Sequence, residues 1–257
     1  MKVRIVGAGR AGRSFQLALS ELGVDVELLA ARPLLGTAQL RQAAHGTDAL
    51  LLAVADRFVS AVAAEVEPDA GAALLHCSGS LPLSALAAGA GGPHRRIASL
   101  HPLATLPDPV VGSLRLRGGT FFAVSGDQLA TELALLLGGR PIVVAEEDRA
   151  AYHAAACVAA NHLVGLLGQV ERIGAAAGLP LEAFLPLARG ALDDVAMLGP
   201  RAALTGPACR GDLPTLEGHR AALAEGELDG YDAGVRLVHR LAAPAEEPAA
   251  ASASPWS

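Results

Sequence analysis

A handful of histidine, asparagine and arginine side chains in this chain have the types and spacing of a site that moves a proton and grips a small polar molecule. His101, in SLHPLATLP, ends an apolar run and precedes a proline, which holds the backbone extended. His153, Cys157 and Asn161, in AYHAAACVAANHL, advance in steps of four and so share one broad helix face. A polar pair on an alanine-rich face predicts a cleft, and imidazole is the side chain whose charge changes near neutral pH. His153, His101 and Asn161 are therefore the expected catalytic set, converging between two domains, with a protonated histidine as proton donor and His153 ahead of His101. For each histidine the plain alternative is a buried ring bonded to backbone. The stretch TGPACRGDLPTLEGH offers Arg210 to clamp a substrate carboxylate, Asp212 to orient it and His219 beside them. Its plain alternative is an Arg–Asp pair that only holds the loop. Lys2 is the sole lysine and begins the first strand, which excludes lysine acid–base and Schiff-base chemistry.

The elements that must position these groups follow from hydrophobic pattern. KVRIVGAG, VDVELLAARP, DALLLAVAD, AALLHCSGS, RIASLHPLA, GTFFAVSG and RPIVVAE read as strands, several separated by helical segments. DALLLAVAD is almost wholly apolar, as in a strand covered on both faces. Strands alternating with helices predict a parallel, doubly wound α/β sheet, a Rossmann-like domain. After about Glu147 the chain turns Ala- and Leu-rich with helical spacing, which predicts an all-helical second domain. The expected boundaries are 1–147, 148–242 and a disordered tail 243–257, the last being low-complexity.

Within this frame Gly7, Gly9 and Gly12 form G-x-G-x-x-G between the first strand and an amphipathic helix. That context predicts dinucleotide binding: one glycine for the turn, one for close approach of the pyrophosphate, one for helix–strand packing. Gly7, Ala8, Gly9, Arg10, Ala11 and Gly12 are the expected cradle, joined by Ala53, Val54 and Ala55 after the third strand and Ser78 after the fourth. The second strand ends without the acidic residue typical of an NAD site. Arg32, 20 residues past Gly12, stands where a 2′-phosphate is read, which favours NADP(H) over NAD(H).

Composition narrows the classes further. The formal net charge of −6 argues against nucleic acid as a partner. Cys77, Cys157 and Cys209 are scattered and odd in number, as expected of free buried thiols in a reducing compartment. No Cys/His spacing suggests a metal site. KVRIVGAG follows Met1 without an apolar signal segment, which argues for a cytoplasmic protein. Ala150–Val170 lacks charged residues but holds Tyr152, His153, Asn161, His162 and Gln169, so a buried helix is expected there rather than a membrane span. Alanine-rich helix faces also admit a homodimer.

RIVGAGRAG, LLLAVAD, LHCSGSL, SLHPLATLP, DRAAYHAAACVAANHL and TGPACRGDLPTLEGH, in that order, resemble a bacterial Rossmann-like oxidoreductase family that carries a C-terminal domain of unknown function, 2520. The resemblance runs from Met1 to about Leu241. That family is similar in architecture to the 6-phosphogluconate and β-hydroxyacid dehydrogenases, ketopantoate reductase and pyrroline-5-carboxylate reductase. It implies NADP(H)-dependent reduction of a small carboxylated carbonyl compound, with ketopantoate as the first candidate. Prephenate-dehydrogenase-like or imine-reductase activity, or a non-catalytic NADP(H) sensor or scaffold, are the alternatives. The HPL segment resembles the histidine–proline motif of prephenate dehydrogenase, which would give His101 a substrate contact. Members often carry lysine where Arg149 stands here, and the lysine of the β-hydroxyacid dehydrogenases has no counterpart on this helix.

Overall fold

The computed structural model describes residues 1–94 and 96–243. Contacts divide the chain into two compact units, Met1–Ala160 and a second from Asn161 onward. In the first, strands β1 (Lys2–Val6), β2 (Asp25–Leu29), β3 (Ala49–Leu52) and β4 (Ala73–His76) alternate with helices α1 (Arg10–Ser20), α2 (Ala38–Arg41) and α3 (Asp56–Glu65). A two-residue hairpin, β5 (Ala88–Gly89) with β6 (Gly92–Pro93), precedes β7 (Ile97–Pro102). Then follow α4 (Pro109–Leu116), β8 (Phe121–Gly126), α5 (Leu129–Leu136), β9 (Arg140–Val143) and α6 (Arg149–Cys157).

Seven strands form one sheet in the order β2-β1-β3-β4-β7-β8-β9. All seven coincide with the apolar runs of the sequence, and the Rossmann-like fold class is as expected. Every residue of β3 and β4 is buried, because helices cover both faces. Val3, Ile5, Phe15, Leu51, Leu75 and Leu100 pack on one side of the sheet. Val6, Leu40, Leu50, Leu52, Val62 and Leu74 pack on the other.

The direction of the last strands departs from an all-parallel sheet. β8 runs antiparallel to β7, pairing Pro102 with Phe122 and Ser99 with Ser125, and β9 then runs parallel to β8. The intervening α4 packs on α1, where Gly112 leaves room for Ser14. The chain thus re-enters the sheet at the edge it left. β1, β3, β4 and β7 are mutually parallel, so the turns after them line a single edge. Lys2 lies at the opposite edge, with its backbone N–H donating to Asp48 Oδ2 at 2.7 Å.

The first unit extends to Ala160, beyond the expected 147, because α6 is anchored by Arg149, which is 2% exposed and bonded to β7 and β8. A π-helical turn, Val158–His162, straddles the unit boundary. In the second unit lie α7 (Leu163–Ala176), α8 (Leu185–Leu198), α9 (Pro200–Ala203), α10 (Pro207–Arg210), α11 (Leu213–Ala222) and α12 (Glu225–Ala242). The helical stretch Arg149–Ala176 is long and apolar enough to cross a membrane by length and composition. The expectation of a buried helix fails there. Of that stretch only Arg149 and Gly174 are buried, since α12 meets α7 on one stripe, where Gln169 donates to the Glu227 carbonyl and Arg172 pairs with Glu227. The three cysteines are unpaired and half-buried rather than fully buried. The expected disordered tail, Ala243 apart, lies outside the described residues.

Candidate functional site

The strand order reverses at β1, with β2 on one side and β3 on the other, and ligands of such sheets bind beyond the strand ends at that point. Gly7 has φ +124°, a conformation side chains rarely adopt, and its N–H donates to the Leu29 carbonyl at 2.8 Å. A Cβ on Gly7 would collide with the Ala53 carbonyl, and one on Gly12 with the Gly7 carbonyl. A Cβ on Gly9 would meet nothing within 4 Å. Two glycines therefore close the turn and the third leaves it open to the outside.

Gly9 caps α1 without a side-chain bond, and the first turn of α1 carries no acidic residue, so its free N–H groups face the opening. Arg13 Nε donates to the Ala8 carbonyl at 2.9 Å and steadies the turn. An anionic diphosphate fits this cradle, and bound NADP(H) would supply hydride beside it. Ala53 donates its N–H to the Val6 carbonyl at 2.8 Å, with Val54 and Ala55 continuing along the same edge. Arg10 and Arg32 are both exposed. Arg32 opens a short 3-10 turn beyond β2 and has no hydrogen-bond or ion-pair partner among the described residues. Ser78 is already engaged: its hydroxyl donates to Asp56 Oδ2 at 2.9 Å and accepts from the Ser80 and Leu81 N–H groups, each at 3.2 Å.

Further along this edge the side chains become ionisable. Alternation along β4, β7 and β8 places His76, Ser99, His101 and Ser125 on one face. His101 Nδ1 and the Tyr152 hydroxyl are 2.5 Å apart, with the rings edge to face. The His153 ring stands 5.9 Å from that of His101. Gly79 is the floor beneath both: a Cβ there would come within 2.5 Å of His153 Cδ2 and 2.9 Å of His101 Nε2. His101 Nε2 makes no hydrogen bond among the described residues.

Electrostatics set the charge of the His101 ring. Burial, with His153 and Arg149 nearby, lowers His101 to about 4, so at neutral pH it is an uncharged imidazole and not a protonated donor. Burial also raises Tyr152 to about 12. His76 is fully buried with neither ring nitrogen bonded, and burial together with Arg149 lowers it to about 4. Burial raises Cys77 to about 12, which removes its thiol from nucleophilic chemistry.

The structure brings together His101 and His153 and adds Tyr152, Gly79, Arg149 and His76. Asn161, on the π-helical turn, is exposed, and its side chain makes no hydrogen bond among the described residues. Arg210, Asp212 and His219 belong to the second unit and do not form the expected clamp. Asp212 caps α11, accepting from the Thr215 hydroxyl at 2.8 Å and the Thr215 N–H at 3.3 Å, and makes no ion pair with Arg210. His219 Nδ1 is 2.8 Å from the Tyr231 hydroxyl, and Arg210 is exposed at the end of α10. Among the described residues no cluster of three or more His, Cys, Asp or Glu is placed to hold a metal ion.

Residues 121–237 match the family model of a domain of unknown function, DUF2520. No curated protein sequence matches the chain. Among solved structures it is similar to protein TM1727 of Thermotoga maritima, with 25% identity and a TM-score of 0.68 over 93% of this chain and 98% of that one. It is similar also to pyrroline carboxylate reductase of Plasmodium falciparum with NADP bound, at 14% identity and a TM-score of 0.60, over 95% and 98% of the two chains. A third likeness is to a reductive aminase of Aspergillus terreus in complex with NADPH and ethyl-5-oxohexanoate, at 16% identity and a TM-score of 0.67 over 93% of each chain. These likenesses define a Rossmann-like α/β unit followed by helices.

Proposed function

We propose that this protein is an NADP(H)-dependent oxidoreductase that reduces the carbonyl group of a small compound. The observation that carries it is the uncharged His101–Tyr152 pair at the sheet edge that also bears the open glycine turn. NADP(H) rather than NAD(H) is supported by Arg32 beyond β2 and by the NADP and NADPH complexes of similar folds. Bound NADP(H) would supply hydride to the carbonyl carbon, and the oxygen would then need a proton. With the Tyr152 hydroxyl donating to Nδ1, the His101 proton sits on Nε2, aimed away from Tyr152. As Nε2–H protonates the substrate oxygen, the Tyr152 proton moves to Nδ1; solvent later returns a proton to Nε2 and the Nδ1 proton goes back to Tyr152. General acid assistance of this kind contributes about a hundredfold to ten-thousandfold.

An already protonated imine needs no proton from the enzyme, so the donor pair favours C=O over C=N. Imine reduction is the second reading, supported by the likeness to the reductase and the aminase named above. The test is NADPH oxidation against a panel of 2-oxo acids, ketopantoate first, with cyclic imines and ketone–amine pairs alongside. Turnover of an oxo acid supports the reading, and turnover of imines alone replaces it with the second. NADPH binding by calorimetry with no turnover anywhere would make the protein a sensor instead.

A further inference from the structure

Behind the donor pair lies a charge that the scheme above does not use. Arg149 begins α6 and is 2% exposed, yet its guanidinium reaches across three chain segments. Nη2 donates to the Ser99 hydroxyl on β7 and, at 2.8 Å, to the Ser125 hydroxyl on β8. Nη1 lies 3.4 Å from the Ser78 carbonyl, in the turn that carries Gly79 under His101 and His153. Nε has no hydrogen bond and stands 3.5 Å from Glu146 Oε1. Glu146 is 41% exposed, and its other oxygen accepts from the Leu83 N–H at 2.9 Å, so the counter-charge faces water while the guanidinium does not. Tyr152 follows Arg149 by three residues on the same helix and so lies one turn along the same side.

We propose that Arg149 is the positioning residue of the donor pair: it ties the Ser78–Gly79 turn, β7 and β8 into one frame beneath His101 and supplies the positive field in which the Tyr152 proton departs. This rests on the assignment of His101 and Tyr152 as donors. The groups facing His101 are His153 and Tyr152 on α6, Arg149 behind it, His76 on β4 and Asp56 at the start of α3. Asp56 is held by the Ser78 and Ser80 hydroxyls. Arg149 acts on both members of the pair in the useful sense, opposing a proton on His101 and favouring its loss from Tyr152.

The test compares Arg149→Gln, which keeps a hydrogen-bonding amide for Ser99 and Ser125 but no charge, with Arg149→Lys, which keeps the charge. His101 ring resonances are followed by NMR against pH in the full chain with NADPH. In R149Q the His101 titration moves up by about one unit, the lower end of what a neighbouring charge produces, and in R149K it stays near the parent value. With a turned-over substrate, kcat falls at least tenfold in R149Q with KM unchanged, and R149K restores most of it. A His101 titration that is the same in folded R149Q and the parent overturns the proposal. Should R149Q not fold, Glu146→Gln serves: with the counter-charge gone, Tyr152 ionises at lower pH, read by ultraviolet absorbance in a Tyr231→Phe background, and an unmoved ionisation overturns the proposal. A titration shift in a chain that reduces nothing removes the donor assignment and leaves the Arg149 field standing.

Discussion

At the end of β1 the site is made by leaving side chains out, whereas at the ends of β4 and β7 it is made by packing ionisable side chains in. Gly7 and Gly12 press backbone against backbone so tightly that neither admits a methyl group, and the ligand surface is N–H groups at a helix start. Around His101 the surface is rings, seated on one glycine and backed by a buried guanidinium. The first arrangement costs little to desolvate and has no dependence on proton concentration. The second pays with buried polar groups, two of them on His76 without a partner. On the proposed function, binding rests on geometry that sterics can break, and proton transfer on chemistry that acid can break.

The largest separation of the two is expected from His101→Ala. It lowers kcat by about a hundredfold to ten-thousandfold while calorimetry finds NADPH affinity unchanged; loss of both together would merge the two regions into one. Next come the glycines. Gly12→Ala drives a methyl group into the Gly7 carbonyl, which costs about 1–3 kcal/mol of overpacking and lowers both the melting temperature and NADPH affinity. Gly9→Ala has free space for its methyl group, so it melts like the parent and weakens only the cofactor. An unchanged affinity in Gly9→Ala would show that nothing approaches there. Arg32→Asp sharpens the binding side: losing one charge-assisted contact is worth about 1.5–3 kcal/mol, one to two orders of magnitude, for NADPH and little for NADH. Equal weakening of both would show that Arg32 does not read the 2′-phosphate.

A further measurement separates the regions by pH. His76 and His101 titrate near 4 in the folded chain against an ordinary 6.5 when unfolded. Between those values the unfolded chain binds protons that the folded one refuses, so stability rises with pH through this window and falls on acidification. Each histidine contributes up to about 1.4 kcal/mol per pH unit there. Melting temperature measured from pH 7 to 4 should therefore drop, and His76→Leu should roughly halve the slope. A flat profile in the parent would show that these rings do protonate in place.

How legible each region was follows from its construction. The glycine turn is a local pattern, strand then glycines then helix, so six consecutive residues, Gly7 to Gly12, specify it. The central strands are equally plain, since Leu50–Leu52 and Leu74–Leu75 have no polar face to confuse them. The direction of β8 was hidden, because FFAVSG has the same alternation whichever way it runs. The histidine cluster joins residues 51 positions apart, and sequence spacing indicated His153 and Asn161 while passing over Tyr152. A signal did exist: Ser99, His101 and Ser125 alternate with buried apolar residues on interior strands, which marks a covered polar face. Arg149 carried no such mark, as an arginine at a helix start ordinarily lies in water. Asp212 is readable as a helix cap, since Asp-Leu-Pro-Thr is a helix-start pattern.

Lys2 carries the one side-chain amine in the chain, and it sits at the start of β1 while the glycine turn follows its end. Five extended residues put the two about 16 Å apart. Reagents that react with primary amines, from fluorophores to activated surfaces, therefore attach at Lys2 or at the adjacent Met1 amine, both at the sheet edge remote from the opening. A molecule tethered through Lys2 stands with its cradle toward solvent, oriented by its own covalent chemistry for a surface measurement of cofactor capture.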